Sequence, residues 1–173
     1  MGKRYWSELE ILEDTYVWAR QLDQALIPPL ADSYRRLPLL AVGSGGSFTS
    51  AVLAAYLHRL STGRLSTATT PLEIVHSPFS LATSAVLFLT ASGGNPDILG
   101  GFQKTAIREP SELGILCLKK ASKLARAAND FSRIGKYVFA MPAGKDGFLA
   151  TNSLVATAVI LARAYSKDRS LGD

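Results

Sequence analysis

Five short apolar runs, separated by turns and by residues with helical spacing, constrain the fold of this chain more than any other feature. Leu39 to Val42 reads as a strand ending in glycines, and Ser47 to Leu60 follows it as a helix. Leu65 to Thr70 is a weaker strand. Ala85 to Leu89 is a continuous apolar run of the buried-strand kind, with a helix from Pro96 to Ile107 behind it. Leu113 to Leu118 is the next strand, followed by a helix from about Ser122 to Ala128, and Tyr137 to Met141 is the fifth strand. Leu149 to Tyr165 is a long, almost wholly apolar helix, which implies burial on more than one side. Strands alternating with helices predict a parallel sheet covered on both faces: an α/β fold with three αβα layers around five strands.

The first 37 residues read as two helices. Trp6, Leu9, Leu12, Tyr16 and Ala19 recur at spacings of 3 and 4, one face of a helix. Ser7 with Glu10 offers a capping box, and Pro28-Pro29 breaks the pattern before it resumes from Leu30 to Leu37. The expected organisation is a helical extension over 1–37, one α/β domain over 38–166 and a tail over 167–173. A length of 173 residues suits this.

Several classes are argued against. A single cysteine excludes a disulfide framework and a cysteine-based zinc site, and two histidines leave little for a metal cluster. No metal or cofactor is expected. The Met-Gly-Lys-Arg-Tyr-Trp start turns acidic and has no signal-peptide pattern, and Trp6 stands where myristoylation needs Ser or Thr. Of the charge-free stretches, Ser77 to Pro96 is broken by Gly and Pro, and Gly147 to Ala162 is too short to span a bilayer. A cytoplasmic protein without a membrane segment is expected. The formal charge of +5 is spread along the chain, with only Lys119, Lys120, Lys123 and Arg126 close together. That argues against a nucleic-acid partner and leaves open an anionic small molecule or no meaning.

In an open parallel sheet, ligands bind beyond the carboxyl ends of the strands. The first strand ends in Gly43-Ser44-Gly45-Gly46-Ser47. Glycines permit a tight turn and close approach, and the amides at the next helix's start can hold an anion. The third strand ends in Thr90-Ala91-Ser92-Gly93-Gly94-Asn95-Pro96-Asp97, with Asn95 as the expected N-cap and Pro96 at the first helical position. Two such loops facing one crevice make a phosphate cradle; either loop alone is equally well a plain connection. A dinucleotide site fits poorly. Phe48 stands where a third glycine belongs, the second strand ends in Thr69-Thr70 without an acidic residue, and no Walker lysine follows either loop.

Together, Gly43 to Ser47 and Ser92 to Asp97 resemble the paired signatures of the SIS (sugar isomerase) domain. Lys120-Ala121-Ser122-Lys123-Leu124-Ala125 sits where that family often has Ser-x-Leu-Ala after its fourth strand. Leu149-Ala150-Thr151-Asn152-Ser153-Leu154 is similar to the hydroxyl-rich start of its last helix. The resemblance runs from about Leu37 to Tyr165 and implies a flavodoxin-like sheet that binds phosphosugars, usually as a homodimer or as tandem domains. Residue by residue, it implies that Ser47, Ser92 and the Gly93 and Gly94 amides contact phosphate or sugar hydroxyls. Thr90 stands where the family commonly has serine and keeps the hydroxyl. Asn95 stands where many members have Thr or Ser, and its amide can still hydrogen-bond. Gly45, Gly46, Thr151 and Ser153 complete the expected substrate-binding set.

Aldose–ketose isomerisation moves a proton between adjacent carbons and needs a base beside the substrate and an acid to polarise the sugar. In phosphoheptose-isomerase-like members a glutamate lies on the helix after the first loop. The matching stretch here is near Tyr56 and Leu57, and that helix has no carboxylate at all. Glu73 and His76, after the second strand, and Asp146, after the fifth, are the candidate catalytic groups. Each also reads as a solvated or turn residue. His58 is expected away from the site and Cys117 as an apolar filler. Lys119, Lys120 and Lys145 follow strand ends and can steer an anion or serve merely as rim charges. The leading expectation is a phosphosugar-binding SIS domain. The alternative is a phosphosugar isomerase or a related lyase or deglycase, and both are compatible with one half of a tandem-domain enzyme.

Overall fold

The computed structural model describes residues 9–78, 80–143, 146 and 150–166. Its strands are β1 (Leu39–Val42), β2 (Ser66–Thr69), β3 (Ala85–Thr90), β4 (Glu112–Cys117) and β5 (Ile134–Val138). Its helices are α1 (Leu12–Gln21), α2 (Leu30–Ser33), α3 (Gly46–Thr62), α4 (Pro71–His76), α5 (Pro96–Ile107), α6 (Lys123–Ala127) and α7 (Thr151–Tyr165). All strand pairs are parallel, in the order β2-β1-β3-β4-β5. The chain begins in the middle of the sheet, winds outward to β2, then crosses β1 and winds outward to β5.

Side-chain alternation along the strands sets the three layers. In β3, Ala85, Leu87 and Leu89 face one cluster, which also holds Ala51, Ala54, Ala55, Ile160 and Leu161 from α3 and α7. Val86 and Phe88 face the other, with Ile98 and Phe102 of α5, Leu124 of α6 and Ile74 of α4. Phe88, Phe102 and Phe131 continue that second core as two edge-to-face pairs, each with centroids 5.7 Å apart. Burying each such side chain contributes roughly 1.5–3 kcal/mol. The central strands have to be apolar on both faces for this arrangement, and β3 is buried along its whole length.

The N-terminal segment joins the first cluster. Ile27, Leu30 and Tyr34 are buried within it, and α1 lies against α7. Arg163 of α7 donates to the carbonyls of Ala19 and Leu22 at 2.9 and 2.7 Å and to Gln24 Oε1 at 3.1 Å. Thr15 Oγ1 donates to Asn152 Oδ1 at 3.1 Å. These bonds satisfy polar groups that the apolar packing would otherwise strand.

Three elements differ from the sequence expectation. The second N-terminal helix spans Leu30–Ser33 and not Leu30 to Leu37. The fifth strand is Ile134–Val138 and not Tyr137 to Met141, because pairing with Leu113–Cys117 of β4 fixes its span. As an edge strand it tolerates Gly135 and the exposed Lys136, so its apolar signal is weak. The segment after β2 is helical: Thr70 Oγ1 accepts from the Glu73 N–H while the Glu73 carboxylate accepts from the Thr70 N–H, a complete capping box opening α4. Ser7 of the expected N-terminal capping box lies outside the described residues.

Candidate functional site

β1 and β3 are neighbours whose following helices cover opposite faces of the sheet, so the loops leaving them diverge. A crevice opens at this switch point, outside the carboxyl ends of the strands. It holds a cavity of about 390 Å³, within the usual range for small-molecule sites. Ser44, Gly46 and Ser47 line it from the first loop, Ala91 and Ser92 from the second, Leu118 and Lys119 from the end of β4, and Met141, Asp146, Ala150 and Ser153 from the approach to α7 and its first turn.

The first loop turns into α3 through Gly45, whose φ of +57° lies in the region glycine adopts freely. The second loop is held more tightly. Thr90 Oγ1 accepts the Gly93 N–H at 3.1 Å, and Ser92 Oγ accepts the Gly94 N–H at 3.4 Å. Gly93 has φ +58°, and a Cβ there would lie 2.7 Å from Cβ and Oγ of Ser122. The Gly93 carbonyl accepts from the Leu124 N–H at 2.9 Å, and Ser122 Oγ caps α6 by accepting from Ala125 N–H at 3.0 Å. The Ser-x-Leu-Ala stretch thus buttresses the second loop from below. Asn95 caps α5 as its position predicts, with Oδ1 accepting from Asp97 N–H at 2.7 Å and Ile98 N–H at 3.4 Å.

Of the residues singled out in the sequence, the structure brings Gly46, Ser47, Ser92, Lys119, Asp146 and Ser153 to one cavity. Thr90, Gly93 and Asn95 build the loop behind it, while Gly45 and Gly94 are exposed beside it. Thr151 opens α7, with a buried Oγ1 that has no hydrogen-bond partner among the described residues. Asp146 accepts from the Ser153 N–H through Oδ2 at 3.1 Å. Glu73 and His76 are on α4 and do not line the cavity. The Glu73 carboxylate accepts from Thr70 N–H and Thr69 Oγ1, and these bonds hold it below the usual carboxylate range. Lys145 lies outside the described residues. Leu118 and Met141 are apolar walls for which strand periodicity gives no signal. Ser44 was legible only as part of the glycine loop.

Two histidine and cysteine expectations hold. His58 is buried far along α3, with Nδ1 3.1 Å from the Tyr165 hydroxyl and Nε2 3.1 Å from the Leu37 carbonyl. The carbonyl can only accept, so Nε2 carries the proton and Nδ1 accepts from Tyr165. Burial lowers the His58 pKa, partly offset by the bond to Leu37. Cys117 is a buried thiol at the end of β4, against Ser122.

A larger cleft of about 640 Å³ lies among Gln24, Pro28, Arg35, Ser61 and Arg163, at the carboxyl ends of α3 and α7. Its lining includes neither of the loops that follow β1 and β3, and the Arg163 guanidinium is spent on the N-terminal segment. Among the described residues, no group of three or more His, Cys, Asp or Glu could hold a metal ion, and no helix is long and apolar enough to cross a membrane.

No protein-family model matches this sequence, and a search of the curated proteins gives no match. Solved structures do match. Tagatose-6-phosphate ketose/aldose isomerase from Escherichia coli superposes with a TM-score of 0.75 at 19% identity, over 95% of this chain and 48% of that one. The C-terminal domain of glucosamine-fructose-6-phosphate aminotransferase from Francisella tularensis gives 0.68 at 18% identity, over 100% and 50%. The Vibrio vulnificus NanR protein complexed with ManNAc-6P gives 0.65 at 16% identity, over 94% and 59%. The chain therefore spans about half the length of these solved chains. With its five parallel strands in this order, the chain has an SIS-like fold.

Proposed function

We propose that this chain binds a sugar phosphate, with the phosphoryl group held by the first and second loops at the β1/β3 switch point. The observation that carries the reading is the meeting of Ser44, Gly46, Ser47 and Ser92 on one cavity. α3 is 17 residues long, and the partial positive charge at its start favours an anion beside Gly46 and Ser47. Hydroxyls and backbone amides then do most of the holding, with Lys119 as an exposed counter-charge. Gly45, Thr90, Gly93, Gly94 and Asn95 shape the cradle, Ser153 of α7 lines the cavity beside the sugar, and Thr151, which opens α7, is a further candidate for contact. The solved neighbours supply independent support: one is named for tagatose 6-phosphate and another was solved with ManNAc-6P.

A second reading is catalysis, as an aldose–ketose isomerase or a related lyase or deglycase. The presence of Asp146 on the cavity wall favours it, since a base has to reach the substrate. Glu73 and His76 are the other candidates for this role, and from α4 they require a partner or a movement to take part. We also propose that the unit is cytoplasmic, that residues 1–37 form a helical extension to a 38–166 domain, and that it works paired with a second SIS-like unit, as a homodimer or in tandem. α3 supports pairing. Phe48, Val52, Tyr56 and Leu60 recur every four residues along it and are 36, 48, 50 and 65% exposed, an apolar stripe where a surface helix normally carries charge.

The test is a thermal-shift screen over sugar phosphates, with inorganic phosphate and nucleotides as controls, followed by an NMR time course on any ligand found. A raised Tm without conversion is expected for a binding domain. Ser47→Ala and Ser92→Ala should each weaken affinity about tenfold, the loss of one hydrogen bond to a charged group. Unchanged affinity in both removes the cradle. Aldose–ketose exchange that disappears in Glu73→Gln refutes the binding-only form.

A further inference from the structure

Basic residues occur throughout the chain, but their excess over acidic ones does not. The stretch from Lys119 to Lys136 holds six of the 19 Lys and Arg, namely Lys119, Lys120, Lys123, Arg126, Arg133 and Lys136, and one of the 14 Asp and Glu, Asp130. Six less one is the whole formal +5, and the rest of the chain is neutral, with 13 of each sign. All six cations are exposed. The fold gathers them at one corner of the sheet. Lys119 and Lys120 follow β4, Lys123 and Arg126 are on α6, Arg133 directly precedes β5, and Lys136 is within β5, the strand that ends the sheet. Ile134 and Val138, two residues to either side of Lys136, pack into the second cluster with α6, so strand alternation puts Lys136 on the α6 face. Its Nζ donates to Asn129 Oδ1, just beyond α6, at 3.1 Å.

Among the described residues, none of the six forms an ion pair. The arrangement has a local cost. Lys123 and Arg126, three apart on α6, are a like-charge pair of the kind that destabilises a helix, and no acid stands in that helix's first turn. α4 and α5, by contrast, open with Glu73 and Asp97, the sign that suits a helix start. A lysine on an edge strand guards against stray pairing, which accounts for Lys136 but not for the cations around α6. We propose that this corner is a docking surface for an acidic segment of another protein, with charge complementarity setting the sign of the partner. Two other occupants fit less well. A two-fold contact between copies of this chain would set the corner against itself. Nucleic-acid surfaces interleave aromatics that stack on bases, whereas the one aromatic in the stretch, Phe131, is edge to face with Phe102 in the second core. Lys119 also lines the β1/β3 cavity, so the partner lies beside its mouth, but the surface does not depend on what that cavity binds.

The experiment is fluorescence anisotropy of a labelled polyglutamate peptide titrated with the full chain at low and at physiological salt. A neutral Gly/Ser peptide and single- and double-stranded oligonucleotides of the same charge are run beside it. Polyglutamate should bind, more weakly at the higher salt, and the neutral peptide should not. Lys123→Glu with Arg126→Glu should weaken polyglutamate binding about tenfold, because like charges then face the peptide. Arg35→Glu with Arg36→Glu changes the net charge equally on exposed residues outside the corner, and should leave the affinity within about twofold. Lys123→Gln with Arg126→Gln removes the charges without adding acids and should give a smaller loss, which keeps the test readable if the reversal unfolds the chain. Equal losses from the two charge reversals overturn the proposal, since net charge alone then explains binding. Absence of polyglutamate binding at low salt overturns it too. Tighter binding of either oligonucleotide makes the corner a nucleic-acid surface and also overturns it. Self-association at low salt that the Lys123 and Arg126 variants abolish, read by light scattering, assigns the corner to a second copy with the same consequence.

Discussion

Gly93 is where the second loop, β4 and α6 meet, and Gly93→Ala tests whether the cradle is built as described. Two separate costs arise. With φ at +58°, an alanine sits in the left-handed region, which costs roughly 1–2 kcal/mol. Its Cβ would also lie 2.7 Å from both Cβ and Oγ of Ser122 and 3.0 Å from the Cys117 sulfur. Relieving such overlap in a well-packed site costs a further ~1–3 kcal/mol. The sum, about 2–5 kcal/mol, is a large part of the ~5–15 kcal/mol that stabilises an ordinary domain. The two costs are separable, because Ser122→Gly removes the two closest of these atoms, leaving only the Cys117 sulfur, and leaves φ untouched. Glycine in place of serine at an N-cap loses only a few tenths of a kcal/mol. Urea denaturation of wild type, both single variants and the double variant should therefore give a favourable coupling of about 1–3 kcal/mol, with the double variant more stable than Gly93→Ala alone. Strictly additive effects, or a Gly93→Ala protein within about 0.5 kcal/mol of wild type, would refute the buttressing of the second loop by Ser122.

Two further outcomes are expected. His58 is held neutral by burial, so its pKa in the folded chain lies below the unfolded value of about 6.5. The unfolded chain then takes up the extra proton, and stability should fall as pH drops below about 6.5 and level off above it. Urea midpoints between pH 5.5 and 8 measure this, and a slope that persists in His58→Gln assigns it elsewhere. Val52→Asp with Tyr56→Lys on the exposed stripe of α3 should convert a paired species to monomer by light scattering. A wild-type monomer, or pairing unaffected by both changes, counts against that surface.

Legibility in the sequence followed from how much of each element's burial is one-dimensional. β1 and β3 are buried on both faces and appear as unbroken apolar runs. α5 begins at Pro96 because Asn95 and Pro96 carry their own cap chemistry. β5 carries no such mark. Ile134-Gly135-Lys136 reads as loop until β4 supplies the pairing, while the apolar stretch through Met141 draws the eye too far along. α4, with six residues, is too short for a period, although Thr70-Pro71-Leu72-Glu73 is a capping-box spacing and was the available signal.

The site divides in the same way. Its two loops were legible because glycine and hydroxyl residues cluster immediately after strands, where a parallel sheet places ligands. The walls that close the cavity come from residues remote in sequence: Leu118 and Lys119 at the end of β4, Met141 after β5, and Ala150 and Ser153 at α7. Their proximity is a product of strand order, which places β4 beside β3 and returns α7 to the face of α3. Asp146 could be named as a carboxylate after the fifth strand. That one of its oxygens is fixed by the Ser153 N–H while the other is buried without a partner among the described residues is visible only in three dimensions.

The strand order also decides what kind of recognition this cavity can offer. Because the chain reverses its winding between β1 and β3, α3 and α5 start on opposite sides of one crevice, and both loops enter it from the sheet. Donors at that point are fixed by backbone geometry and need no long cationic side chains. Lys119 is the single cation among the described lining residues, so the net charge of +5 lies mostly elsewhere on the surface. If the cavity binds a sugar phosphate as proposed, a site of this design would recognise the shape and hydroxyl pattern of the anion more than its total charge.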